Sequence, residues 1–306
     1  MDEEQTPRSH RPDRIPLALG HVGNEDDDMS FARLFGRRAT QKTTEVSAKQ
    51  AEERREIADK LVQEDERRAK RVQQQLLTQI PAIAGWSHAL VYRPTSAVGG
   101  DLVDVNIMGD NRILIAIGDV SGHGTQGALI AVSARKALHA LIDRVESLAD
   151  LIINLNEDLR RDLTAGQFIT AFVGILNPDD GRLVYACCGH HHALVVDAQG
   201  PIHLRRLASS GMALGVADSE TMAERLTLRE TTIPQQASLV IYTDGLPETR
   251  NSADQEFEEE GVMASLIGAS RSEPQQLADI LLSAAQAHHG SEQLEDDATI
   301  LVIKRP

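Results

Sequence analysis

The chain has 306 residues, with 31 Lys and Arg against 46 Asp and Glu, for a formal charge of −15. That acidic balance excludes a general nucleic-acid binder and docking on anionic lipid, because both need a basic face. Hydrophobic residues at 41% allow a buried core, and the only two cysteines, the neighbours Cys187 and Cys188, exclude a disulfide scaffold and a zinc finger.

Residues 1–45 carry Pro7, Pro12, Pro16 and the acid run GNEDDD, with no sustained period, and read as a disordered tail. Phe31, Leu34 and Phe35 form a short apolar patch in it, either a partly helical stretch or a docking peptide. The N-terminus lacks the apolar core of a signal peptide. Runs such as Ile113–Ile117 are far shorter than the ~20 residues a membrane helix needs. The expectation is a cytoplasmic protein with no membrane or nucleic-acid partner.

Residues 46–81 read as a linker or coiled-coil-like helix. From Val46 to Ile80 there is no Gly or Pro, strong helix formers dominate, and Glu56–Lys60 and Glu64–Arg68 place opposite charges at i,i+4. Val62, Ala69, Val72 and Leu76 make a stripe at a/d-type spacing, interrupted at Asp65. Both a solvated lead-in helix and a dimerising coiled coil satisfy this pattern. Pro81 and Gly85 end it.

Residues 82–306 read as one α+β domain. Strands are expected at His88–Arg93, Arg112–Gly118, Phe168–Leu176, Arg182–Cys188, Ala193–Asp197, Arg225–Ile233, Ser238–Thr243 and Ala298–Lys304. NPDDG and DAQG are hairpin turns, so the sheets should be antiparallel. Two helices are expected in the middle, carrying Leu138 and Leu141 on the first and Leu151, Ile152 and Leu155 on the second. Two more are expected around Gly261–Ile267 and Glu273–His288.

Aspartates recur at strand ends: VGGD at Asp101, IAIGD at Asp119, LVIYTD at Asp244, and EDD at 295–297 just before ATILVI. One such Asp is ordinary turn chemistry. Four of them can converge on one sheet edge, where they repel unless a cation neutralises them. Hard oxygen ligands without His or Cys favour Mg²⁺ or Mn²⁺ over zinc. Two such ions suit in-line attack on a phosphoryl group.

VGGDLVDV, IGDVSGHGTQGAL, TAFVGIL, YACCGHHHALVV, SSGMALGV, VIYTDGLPETRN and EDDATILVI occur in an order that resembles the SpoIIE/RsbU-type serine phosphatases, members of the PPM (PP2C-like) metal-dependent family. The resemblance covers about 82–306. It implies an α-β-β-α sandwich of two antiparallel sheets preceded by an N-terminal helix. It implies hydrolysis of phosphoserine or phosphothreonine on a protein, usually a small STAS-domain anti-anti-sigma factor, with Mn²⁺ or Mg²⁺, two ions, and a metal-bridging water. Carried over residue by residue, Asp101, Asp119 and the Val120 carbonyl would hold the ions from one side. Asp244 and Asp296 would hold one from the other, with Asp297 ranked second. Asp104 matches a trailing aspartate of the pattern and also suits a turn. Leu102 and Val103 stand where the family often has aromatics, and GHHHAL replaces the usual GH-x-P-P.

His123 is a candidate general acid, and Arg93 a candidate phosphate clamp or a surface arginine. Consecutive His190, His191 and His192 point to opposite faces, so one ion cannot take all three. Cys187 and Cys188 read as buried strand residues. Thr243 and Thr249 read as turn and packing residues, and Glu248 as loop support. Residues 46–80 are expected to bind an activator or a second copy and so to order the Asp101/Asp119 region. The alternative functions are a non-catalytic regulator of the same fold and a nucleotide cyclase, the latter disfavoured because GGDLV lacks the cyclase glutamate.

Overall fold

The computed structural model describes residues 52–77, 79–122, 124–197, 199 and 204–306. The expectations for the 1–45 tail and for His123 lie outside them. The chain divides into two compact units, Met1–Val62 and Gln63–Pro306. In the first, residues 52–62 are helical and exposed throughout, Ile57 and Leu61 included.

Residues 52–77 are helical as a whole (α1). Within the second unit the helix is exposed as far as Val72, then anchors through buried Gln73 and Leu77. Leu77 joins Ile83 and Trp86 in the main core, which fixes the lead-in against the domain.

Two five-stranded antiparallel sheets follow. One contains β1 (Ser87–Arg93), β6 (Ala193–Val196), β7 (Leu204–Leu207), β9 (Ser238–Tyr242) and β10 (Ala298–Lys304), in the order β1-β10-β9-β6-β7. The other contains β2 (Leu102–Ile107), β3 (Ile113–Val120), β4 (Ile169–Leu176), β5 (Arg182–Cys188) and β8 (Arg229–Thr232), in the order β2-β3-β4-β5-β8. The β4–β5 hairpin turns on NPDDG, where Asn177 N–H donates to the Arg182 carbonyl at 2.8 Å.

Strand β10 shows why the strands read as continuous apolar runs. Side chains alternate in direction along a strand. Leu301 and Ile303 join the core that contains Val103, Ile115, Ile117 and Phe172 of the second sheet. Ile300 and Val302 join a separate core with Val262, Leu277 and Leu281. Those three belong to α5 (Glu258–Ser265) and α6 (Pro274–His289), which cover the outer face of the first sheet. Each buried leucine there contributes roughly 1.5–3 kcal/mol. On the far side, α2 (Gly124–Leu141) and α3 (Leu148–Asp162) cover the second sheet through Leu138, Leu151, Ile152 and Leu155. The result is the expected α-β-β-α sandwich.

Three elements differ from the sequence expectation. The strand expected over Arg225–Ile233 is only Arg229–Thr232. Arg225 instead ends a short helix, α4 (Ser219–Arg225), started by the Asp218 side chain, which accepts from Thr221 N–H at 2.9 Å, and pinned by buried Met222. Strands β2 and β7 were not expected. In β2 a buried aspartate, Asp104, interrupts the apolar pattern. It is held by Arg135 Nε and His139 Nε2 of α2, each 3.0 Å from its Oδ1. The arginine lies off the N–H line, so the contact is an ion pair and not a hydrogen bond. Asp104 therefore ties β2 to α2 and serves no turn. In β7 the sequence LRRL is too short and too charged to show a period.

Candidate functional site

The sheet topology brings the aspartates to one end of the sandwich. Asp101 immediately precedes β2, and Leu102 pairs with Gly118 beside Asp119 of β3. In the other sheet β9 ends at Tyr242 opposite Ile300 of β10. Asp244 therefore leaves β9 at the end where Asp296 and Asp297 enter β10. A cleft of about 350 Å³ opens there, lined by Thr95, Ser96, Gly100, Asp119, the Val120 segment, Gly122, Gly124 and Glu295–Asp297.

Asp101 lies beneath this cleft, only 1% exposed. Its Oδ2 accepts hydrogen bonds from Thr243 Oγ1, at 2.9 Å, and from Thr299 Oγ1. Its Oδ1 is buried and receives no hydrogen bond from an N–H or a hydroxyl, while the Asp119 carboxyl lies within hydrogen-bonding reach of the Asp101 carboxyl. Burial first, then repulsion from Asp119, holds the Asp101 carboxyl well above the ordinary range. The Asp119 carboxyl is raised to about 8 by burial, then by Asp244, Asp296 and Asp297. Asp244 is raised to about 6 by burial, then by Asp296. Asp119 thus lies in the fields of Asp244, Asp296 and Asp297 and repels Asp101 in turn, so it links the acids of the two sheets.

Asp297 behaves differently. Its Oδ1 accepts from the Thr95 N–H at 2.7 Å and the Thr95 hydroxyl at 3.0 Å, and its Oδ2 accepts from the Gly100 N–H at 2.7 Å. Both oxygens are engaged in holding the 95–100 loop against the start of β10. A Cβ on Gly99 would overlap that same carboxylate, which is why a glycine stands there. A side-chain carbon on Gly100 would lie 3.5 Å from Asp119 Oδ1 and 3.3 Å from the Val120 carbonyl. The Val120 carbonyl therefore faces the cleft loop beside Asp119.

The remaining candidates scatter. Arg93 closes β1 opposite Ala298, with an exposed side chain that does not line the cleft. His190 is buried with its Nδ1 3.1 Å from the Thr170 hydroxyl, and burial first, then His191, pushes its pKa down to about 3. His191 faces Glu248 at 3.8 Å and His192 faces Glu259 at 3.7 Å. The three rings take three directions. Cys187 and Cys188 are buried free thiols, each raised to about 12 by burial. Thr249 donates to the Gly245 carbonyl at 2.6 Å, a turn role as expected, whereas Thr243 reaches Asp101.

Residue reading missed three participants. Glu295 lines the cleft, although its place in EDD offered the signal. The hydroxyl of Thr299, and Gln73 far upstream, carry no local signal.

The donor set is carboxylate and carbonyl oxygen, which suits a hard divalent cation. A buried carboxylate oxygen without a donor, beside other carboxylates, is relieved by a cation or a proton. Among the described residues no three acidic, His or Cys side chains form a ready-made cage around one point. Asp119, Glu295, Asp296 and Asp297 line the cleft, and Asp101 and Asp244 stand outside its lining.

A family model described as Stage II sporulation protein E (SpoIIE) matches residues 109–306, well over half of the chain. The chain belongs to the SpoIIE family. It is 25% identical over 243 residues to the phosphoserine phosphatase RsbU of Bacillus subtilis, covering 78% of this chain and 69% of that one. It is 24% identical over 278 residues to protein IcfG of Synechocystis, covering 82% of this chain. The chain spans only 43% of the length of IcfG. The SpoIIE-family fold is also that of the SiaA-PP2C domain of Pseudomonas aeruginosa, with a TM-score of 0.69 at 21% identity, covering 81% of this chain and 98% of that one. Among the described residues no helix is long and apolar enough to cross a membrane.

Proposed function

We propose that the protein is a divalent-cation-dependent protein serine/threonine phosphatase. The observation that carries this is the meeting of Asp101, Asp119, Asp244 and Asp296 at one end of a SpoIIE-family sandwich, with Asp101 Oδ1 buried and undonated. Asp101, Asp119, Asp244, Asp296 and the Val120 carbonyl would hold Mn²⁺ or Mg²⁺. RsbX, which shares the fold at a TM-score of 0.53, was crystallised in complex with magnesium. Asp297 is assigned to the loop rather than to an ion, because both its oxygens already accept hydrogen bonds. When bound, two ions would supply Lewis acidity toward the phosphoryl oxygens and acidify the attacking water.

The protein's own groups shape the rest. The described cleft lining contains no Lys or Arg, and Glu295 adds another negative charge. A phosphate monoester could therefore enter only with its charge offset by cations. Arg93, exposed at the end of β1, is the candidate we keep for steering it. The substrate we favour is phosphoserine on a STAS-domain regulatory protein, which relatedness to a phosphoserine phosphatase supports. Residues 46–80 are proposed to receive an activator or a second copy, because α1 exposes Ile57, Leu61, Val62 and Val72. A cytoplasmic location belongs to the same reading.

The test is hydrolysis of phosphorylated STAS-domain proteins, and of an aryl phosphate, with Mn²⁺, comparing wild type with Asp119→Asn. Activity in the wild type alone is expected. Inactivity of both, at saturating Mn²⁺ and with an activator present, would favour the non-catalytic regulator, and GTP turnover would favour the cyclase.

A further inference from the structure

We infer that Thr243 and Thr299 are positioning residues that rotate the Asp101 carboxylate so that a single oxygen, Oδ1, is presented to the cation. The inference rests on the metal reading above. Asp101 enters β2 of one sheet, whereas Thr299 lies in β10 and Thr243 just beyond β9 of the other. Each threonine is 0% exposed.

The direction of the hydrogens is fixed by the backbone. Thr243 Oγ1 accepts from the Thr299 N–H at 3.0 Å, while the Thr243 N–H is spent on the Thr299 carbonyl at 3.1 Å. The one hydroxyl hydrogen of Thr243 is therefore free for Asp101 Oδ2, 2.9 Å away. The Thr299 hydroxyl donates to the same oxygen. Oδ2 thus takes two donors and Oδ1 none. Leaving a buried acceptor without a partner costs roughly 1–3 kcal/mol, and more when it is charged. An arrangement that spends both hydroxyls on Oδ2 leaves Oδ1 for an ion, with the neighbouring Asp119 carboxyl able to share a proton with Asp101 when the ion is absent. Threonine suits this task because its β-branch restricts χ1 and so holds the hydroxyl in place. The three residues also link the two sheets directly under the cleft.

The test uses the full chain. Mn²⁺ binding is measured by titration calorimetry for wild type, Thr243→Val, Thr299→Val and the matching Ser variants, with melting temperatures recorded in chelator. Groups that orient a metal ligand typically account for roughly 10–100-fold in affinity. Each Val variant should lose binding in that range, and each Ser variant should recover most of it. A purely structural role would instead lower the metal-free melting temperature and leave the affinity of the folded protein unchanged. Val variants that bind Mn²⁺ like wild type, or Ser variants as weak as Val, overturn the threonine assignment alone. A wild type that binds no Mn²⁺ overturns the metal reading with it. Should a Val variant not fold, a crystal structure of wild type grown with Mn²⁺ decides. Oδ1 on the ion with both threonines still on Oδ2 supports the inference, and Oδ2 on the ion overturns it.

Discussion

Gln73 grips both backbone polar groups of Gly99. Its Nε2 donates to the Gly99 carbonyl at 2.6 Å, and its Oε1 accepts from the Gly99 N–H at 3.0 Å. Gly99 lies two residues before Asp101, and its neighbour Gly100 donates to Asp297. The last turns of α1 are thereby tied to the loop that lines the cleft, and movement of one must be felt by the other.

Gln73→Ala leaves two buried backbone groups without partners, at a cost of about 1–3 kcal/mol. The expected outcome is a lower melting temperature and a higher Mn²⁺ concentration for half-maximal hydrolysis. Gln73→Glu preserves size but sets a carboxylate oxygen against the Gly99 carbonyl, so it should do as badly as alanine. A glutamate variant that matches wild type would show that packing, and not the paired hydrogen bonds, is what matters.

Asp296 and Asp297 are adjacent and should fail differently. Asp297 accepts three hydrogen bonds from the 95–100 loop. Asp297→Ala should destabilise the metal-free protein by roughly 1–3 kcal/mol. Asp296→Ala should remove repulsion from Asp119 and Asp244 but also the Oδ1 that accepts the Asp297 N–H at 2.7 Å, so it should cost the metal-free protein less than Asp297→Ala while weakening Mn²⁺ binding more. Denaturant melts in chelator, set beside metal titrations, separate the two.

The raised carboxyls set a pH dependence. Asp119 is raised to about 8 and Asp244 to about 6 from an ordinary value of 3.8. Between those limits the folded protein holds more protons than the unfolded chain, so stability falls as pH rises. In chelator, the melting temperature should decline from about pH 4 to pH 8. The decline should shrink in Asp119→Asn and on adding Mg²⁺. A metal-free stability that rises steadily across this window would contradict the clustering of the acids.

Gly245 follows Asp244 and leaves no room for a side chain, since a Cβ there would overlap the Asp297 carbonyl oxygen. Gly245→Ala must push β9 and β10 apart where their aspartates meet. Overpacking of this kind costs about 1–3 kcal/mol, and the displacement should weaken Mn²⁺ binding as well. Calorimetric melting and metal titration of the same sample check both effects.

Much was legible before any coordinates. Apolar runs such as ATILVIK and VIYTD announced buried strands, NPDDG announced a hairpin, and the family motifs placed each aspartate at a strand end. What failed to show locally was what depends on a partner. Strand β2 hides behind Asp104, whose burial is tolerable only because Arg135 and His139 of α2 face it. Helix α4 is too short to display a period, and its start depends on one capping aspartate.

The sequence by itself determined the strands, the helices and their antiparallel pairing, because period and turn chemistry are written into neighbouring residues, and its resemblance to a family implied the layered sandwich and named the acids that gather at the cleft. Only the tertiary structure decided the division of labour among them. Asp297 and Asp101 are the same residue type beside similar strands. One spends both oxygens on the 95–100 loop, whereas the other receives two threonine hydroxyls on a single oxygen and leaves its second bare. That difference comes from donors 142 and 198 residues away along the chain. Hydrogen bonding at such separations is set by how two sheets pack, which no local pattern encodes.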